Sequence, residues 1–178
     1  IKNGNADHAG GIKVGNNVTA ILRNLNIGNN LVSSDAGGVQ INLSEYVEMN
    51  NCMINYNQAG VNGGAILIVG SNLNIENCNL YNNTANDGGG IYAIESTLSI
   101  NNSNISHNNA TESGGGIHLK NETTANITNT EISNNSTTQD CFTNQGSRGA
   151  AAYAINSSLD INNSKICLLY TSPSPRDP

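Results

Sequence analysis

The 178-residue chain holds 13 acidic against 7 basic residues, a formal net charge of −6, and only 11% of it is charged. That balance excludes the basic stripe with which a nucleic-acid binder neutralises phosphates, so no nucleic-acid partner is expected. Aromatic residues make up 4% and tryptophan is absent, so the core must come from Ile, Leu, Val and Ala, and no apolar run approaches the roughly 18 to 20 residues that span a bilayer as a helix.

Read in chain order, one pattern recurs. Glycine pairs open GGIKV at Gly10, GGVQI at Gly37, GGAIL at Gly63, GGIYA at Gly89 and GGIHL at Gly115, and a degenerate AAAYA follows at Ala150. Their offsets are 27, 26, 26, 26 and 35. After each pair one parity is aliphatic: Ile12 and Val14, Val39 and Ile41, Ala65 and Leu67, Ile91 and Ala93, Ile117 and Leu119, Ala152 and Ala154. Period two means strand. A second strand follows in each unit with Ala20 and Leu22, Val47 and Met49, Leu73 and Ile75, Leu98 and Ile100, Ala125 and Ile127, Leu159 and Ile161. A third aliphatic column is Ile27, Ile54, Leu80, Ile105, Ile132 and Ile166. Three inward stretches per unit predict three short strands per turn.

Two asparagine columns keep the same rhythm. One is Asn24, Asn51, Asn77, Asn102, Asn129 and Asn163; the other is Asn30, Asn57, Asn83, Asn108 and Asn135. Asparagine tolerates a left-handed corner, and corners stacked about 4.8 Å apart let the amides bond up and down as a ladder. An unpaired buried amide costs roughly 1 to 3 kcal/mol, so such columns require units stacked in register. No window shows a 3.6-residue period, and the Asn, Gly, Ser and Thr content is poor helix material. The expectation is an all-β parallel β-helix of about six coils with ~26 residues per coil.

GGAI at Gly63 to Ile66, with a hydrophobic-x-x-Asn element at Leu80 to Asn83 and Ile105 to Asn108, resembles the GGAI and FxxN motif pair of chlamydial-type polymorphic outer-membrane proteins, with Ile or Leu in place of Phe. The resemblance covers nearly all of residues 6 to 166. It implies a right-handed parallel β-helix of the kind used as autotransporter passengers, exposed at the cell surface or secreted, and associated with adhesion.

Asp87 to Gly90, DGGG, is followed by neither a phosphate-loop Lys nor a GxGxxG pattern opening a helix, so its glycines are expected to serve the corner and no cofactor is expected. No calcium nonapeptide or zinc spacing occurs, so no metal is expected, and Asp35 and Asp87 read as turn residues. His8 and Asp35 share a column and are expected to pair. Glycoside hydrolysis needs two carboxyl groups about 5 to 9.5 Å apart; Glu95 and Glu122, near one corner of neighbouring coils, are the best catalytic candidates available. A lyase-type acidic site beside a basic residue is not visible around Lys13, Arg23, Lys120, Arg148 or Lys165.

For binding, the outward column Lys13, Gln40, Ile66, Tyr92, His118 and Tyr153 places Tyr92, His118 and Tyr153 as a polar-aromatic strip for a glycan or protein partner. The nine extra residues of the fifth coil, around Thr137 to Gln145, hold the only Phe, Phe142, and add a second binding candidate. Glu131 and Lys165 are expected to form a surface ion pair. Cys52 and Cys78 occupy one column with Ser103, Thr130 and Ser164 and are expected to be small buried thiols rather than a disulfide. N-x-[ST] sequons, for example at Asn17, Asn42, Asn104, Asn109, Asn121 and Asn126, arise from composition.

The chain opens at Ile1 without Met and reads as a fragment of a longer solenoid, with residues 1–166 forming one domain. Residues 167–178 read as a non-native tail, since CLLYTSPSPRD is the translation of a sequencing-library transposon adapter. The functional expectation is a secreted or surface-displayed, adhesin-like and non-catalytic scaffold binding a glycan or a host or cell-surface protein. A polysaccharide lyase or glycoside hydrolase fragment, and a purely structural stalk, stay open as alternatives.

Overall fold

The computed structural model describes residues 1–138 and 149–167, together with the backbone of 170–171. The described residues contain no helix. Their strands stack into four all-parallel sheets, because each coil returns to lie one ladder spacing above the last. The first sheet holds Ile12–Val14, Val39–Asn42, Ile66–Val69, Ile91–Ile94, Ile117–Lys120 and Ala152–Ile155. The second holds Thr19–Arg23, Tyr46–Asn50, Asn72–Glu76, Thr97–Asn101, Thr124–Thr128 and Ser158–Asn162, and the third Asn26–Gly28, Met53–Asn55, Asn79–Tyr81, Asn104–Ser106, Glu131–Ser133 and Lys165–Cys167. Six coils of stacked strands therefore stand where the aliphatic columns predicted them.

A fourth sheet was not anticipated. Its strands include Leu31–Val32, Gln58–Ala59 and Thr84–Asp87, and they present Val32, Ala59 and Ala85 as a small satellite cluster. A strand with one buried apolar position has no readable period, which is why three strands per turn were expected rather than four.

The third coil corrects the expected facing. Ile66 aligns with Val39 and Ile91, so Ile66 and Ile68 point into the core while Leu67 takes the outward column. The expectation of Ala65 and Leu67 facing inward follows from reading Gly63 as the first residue of the glycine pair. Gly64 and Ala65 occupy that place instead: Val39 N–H donates to Ala65 O at 2.8 Å, and Ala65 N–H donates to Gly90 O at 3.0 Å. The aliphatic side chains of the first three sheets form one continuous core, with Ile41, Ile75, Ile100 and Ile127 fully buried. Each contributes roughly 1.5 to 3 kcal/mol of burial.

The two asparagine columns separate into different devices. Asn30, Asn57, Asn83, Asn108 and Asn135 are buried and form a continuous amide ladder. Asn57 Nδ2 donates to Asn83 Oδ1 at 3.0 Å, Asn83 Nδ2 to Asn108 Oδ1 at 3.0 Å, and Asn108 Nδ2 to Asn135 Oδ1 at 3.1 Å. The same Oδ1 atoms accept backbone N–H groups of the preceding coil. Asn24, Asn51, Asn77, Asn102, Asn129 and Asn163, expected as a second ladder, are exposed and share φ between 47° and 55°. They are left-handed corners at which asparagine is tolerated. Their backbone N–H groups carry the coil-to-coil bonds, as in Asn77 N–H to Asn101 O at 3.2 Å.

Two hydroxyl or thiol ladders line other corners. Ser44 N–H donates to Ser71 Oγ, Ser71 N–H to Ser96 Oγ, and Ser96 N–H to Thr123 Oγ1. In the other, Cys52 N–H donates to Cys78 Sγ at 3.3 Å, Cys78 N–H to Ser103 Oγ at 3.1 Å, and Ser103 N–H to Thr130 Oγ1 at 3.3 Å. Both thiols are free and buried, as the column suggested. Glu131 and Lys165 pair at 3.6 Å on the surface of the third sheet, where such a pair contributes about 0 to 1 kcal/mol.

Candidate functional site

The strip expected on the outward face of the first sheet is largely covered. Tyr92 is 7% and His118 5% exposed, and Gln40 and Leu67 of the same column are also buried. The cause is the corner ahead of each strand, which folds back over its outward side chains. Ala36 packs with Leu67 and Tyr92. At Gly88 and Gly114, both at positive φ, a Cβ would come within 2.8 Å of the Cβ atoms of Tyr92 and His118. Alternation tells which side of a sheet a residue faces, but not what lies on that side. Tyr153, half-buried in the last coil, completes the stack: its ring lies 5.0 Å from His118, and His118 lies 4.9 Å from Tyr92, both edge to face. The sequence placed these three side chains together; the structure puts the first two inside.

Asp87, read from sequence as a turn residue, belongs to the same cluster. His118 Nδ1 lies 3.2 Å from Asp87 Oδ1. Burial pushes the Asp87 carboxyl up, but His118, with Ser113 and Lys120, outweighs it and holds the group below its ordinary range. Burial, and then the charges of Asp87 and Asp35, push the Tyr92 phenol up. A depressed carboxyl adds stability above its unfolded pKa of about 3.9 and loses it as pH falls through the lower folded value. Asp87→Asn is therefore expected to be less stable than the parent at pH 7, with the gap closing below about pH 4. Urea unfolding across that range checks this; parallel pH profiles would refute it.

Asp35 does not serve His8. Its Oδ1 accepts from Asn62 N–H at 3.2 Å and Asn62 Nδ2 at 2.9 Å, which ties it to the next coil along the stack.

Glu95 and Glu122 do meet at one corner. With Asn121 and Asn156 they line an open recess of about 400 Å³. All four sit at positive φ, between 46° and 53°, and Asn121 and Glu122 share the corner because of the extra residue in that coil. Both carboxylates are exposed, and the lining supplies neither an aromatic platform nor a basic group. Among the described residues, no group of three or more His, Cys, Asp or Glu is placed to hold a metal ion. Phe142, the other binding candidate, lies outside the described residues.

A second recess was not expected from the sequence. Tyr46, Asn72, Leu73, Asn74, Thr97 and Ser99 line about 420 Å³ on the outward face of the second sheet. Tyr46 is 39% exposed. It interrupts an otherwise polar, non-aromatic outward column of Thr19, Asn72, Thr97, Thr124 and Ser158, and that lone aromatic is the available signal.

No curated protein and no solved structure gives a match to the sequence. The family model described as a right handed beta helix region matches residues 1–166. With four parallel sheets, aligned aliphatic columns and a buried amide ladder already established, the chain belongs to the right-handed β-helix family.

Proposed function

We propose that this β-helix is a non-catalytic recognition scaffold, secreted or displayed at a cell surface in the manner of an adhesin, that binds a glycan or a protein partner. One observation carries the reading. The chain's best carboxylate pair, Glu95 and Glu122, sits exposed in a polar corner recess, whereas the broad second sheet presents a solvent-facing array of Thr, Ser and Asn over three coils. Such a face suits contact with an extended partner better than bond cleavage. The resemblance of the GGAI and hydrophobic-x-x-Asn elements to polymorphic outer-membrane proteins supports surface display.

The test pairs binding with turnover. The chain is incubated with a panel of neutral and acidic polysaccharides and with cell-surface protein fractions, and retention and product release are measured together. Retention without new chain ends is expected. Product release that disappears in Glu95→Gln or Glu122→Gln would establish the hydrolase alternative, and neither retention nor release would leave the coils a structural stalk.

A further inference from the structure

We propose that the outward face of the second sheet is a binding track for a neutral, linear glycan, laid across the strands with one sugar ring seated against Tyr46. The inference rests on the recognition reading above and gives it a location and a ligand class.

The track is built from strand register. Asn72 aligns with Thr97 and Thr97 with Thr124, while Asn74 aligns with Ser99 and Ser99 with Asn126. Six uncharged polar side chains thus form two parallel rows over three coils. Tyr46 lies at one end, one coil below Asn72. The Arg23–Glu48 ion pair, joined at 2.8 Å, bounds the rows on that side, and Asp160, aligned with Asn126, bounds them on the other.

These rows differ from the third outward column of the same sheet, where Asn101 and Thr128 bond each other and Asn50 and Asn162 bond the carboxylates that end the second row. There Asn50 Nδ2 donates to Glu48, Thr128 Oγ1 to Asn101 Oδ1 at 2.9 Å, and Asn162 Nδ2 to Asp160 Oδ1 at 2.9 Å. In the track, Asn72 Nδ2 donates to Glu45 O at 2.9 Å. The side chains of Asn74, Thr97, Ser99, Thr124 and Asn126 make no hydrogen bond to the described residues. Amides and hydroxyls offer both donors and acceptors, the mixture that sugar hydroxyls require. The exposed ring of Tyr46 supplies the apolar platform for the C–H face of a ring.

Charge and spacing select the class. The recess has no Lys or Arg to hold a carboxylate or sulfate, and the chain's net charge of −6 opposes a polyanion. The only apolar groups lining it are Tyr46 and the buried Leu73, too little for the desolvated aromatic and Arg anchors of a protein interface. Coils repeat at about 4.8 Å, close to the advance of one pyranose ring in a linear chain, so successive rings can meet equivalent Asn, Thr and Ser positions.

The full chain is screened on arrays of neutral and uronic-acid-containing linear oligosaccharides, and the best ligands are titrated by calorimetry. Binding to neutral oligosaccharides is expected, with affinity rising to about the tetrasaccharide as the four coils fill. Tyr46→Ala is expected to weaken it about tenfold, and Ser99→Lys, which sets a long cation in the recess, to abolish it, while circular dichroism and the thermal midpoint stay at parent values. Glu131→Gln on the third sheet is the control and leaves binding unchanged. Neutral-glycan binding that ignores both Tyr46→Ala and Ser99→Lys overturns this site but leaves the recognition reading standing. A preference for acidic glycans overturns the ligand class. Capture of a protein partner with no glycan binding overturns the track and keeps the scaffold reading, whereas binding of neither removes both.

Discussion

Asn83→Leu is expected to lower the unfolding free energy by roughly 3 to 5 kcal/mol, measured by urea denaturation, although the two side chains have similar volume. Asn83 Oδ1 accepts from both the backbone N–H and the Nδ2 of Asn57, and its own Nδ2 reaches Ile54 O, Tyr81 O and Asn108 Oδ1. The side chain is fully buried. An isobutyl group in its place leaves donors of the coil below and acceptors on both sides without partners or water, each at about 1 to 3 kcal/mol. Asn77→Ala is the matched exposed variant. Asn77 is exposed, and its role is to adopt φ 52°, so its loss is expected to cost only about 1 to 2 kcal/mol. Equal costs at the two positions would show that the buried column is not a ladder in the physical sense.

Gly89→Val should cost more still, about 4 kcal/mol or above, and yield a chain that no longer melts cooperatively. The φ of Gly89 is not the obstacle. A Cβ there would stand 2.4 Å from Asn109 O, 2.6 Å from Asn109 C and 2.6 Å from Gly115 O. All three are backbone atoms of the next coil, which cannot swing away as a side chain would, so the stack must separate locally. Comparison of the thermal transitions of Gly89→Val and the parent checks the expectation; a shift of only a few degrees would refute it.

The sequence carried most of the fold because stacking makes each column speak several times. Five or six repetitions of Ile27, Ile54, Leu80 and their equivalents outweigh any single ambiguous residue, and the buried ladder was legible for the same reason. What failed were features that repetition does not encode. Ala65 in place of a glycine shifted the inward parity of one coil by a residue. The two asparagine columns looked alike in one dimension, yet one lies inside the corner and the other at its solvent-facing bend. Tyr92 and His118 were assigned the correct side of the correct sheet, but the covering by the preceding corner, through Ala36 and Gly114, depends on how far a turn folds back. Tyr46 is not legible as a site in one dimension because a lone aromatic among polar residues has no period. Glu95 and Glu122 were correctly predicted to adjoin, since corners stack as strands do.

The amide ladder also has a direction. Every donor in it belongs to the earlier coil and every Oδ1 acceptor to the later one, while Asn57, Asn83 and Asn108 each send a second bond back to the strand beneath, at Ile27, Ile54 and Leu80. One side chain thus holds its own turn to both neighbours at once, reinforcing the nearest-neighbour coupling on which repeat-protein stability depends. A solenoid linked in this way resists peeling from an end, since releasing the terminal turn strips an acceptor from the amide of the turn beneath it. The aligned amide dipoles point the same way from Asn30 to Asn135, giving a stack of near-identical rungs a distinguishable head and tail.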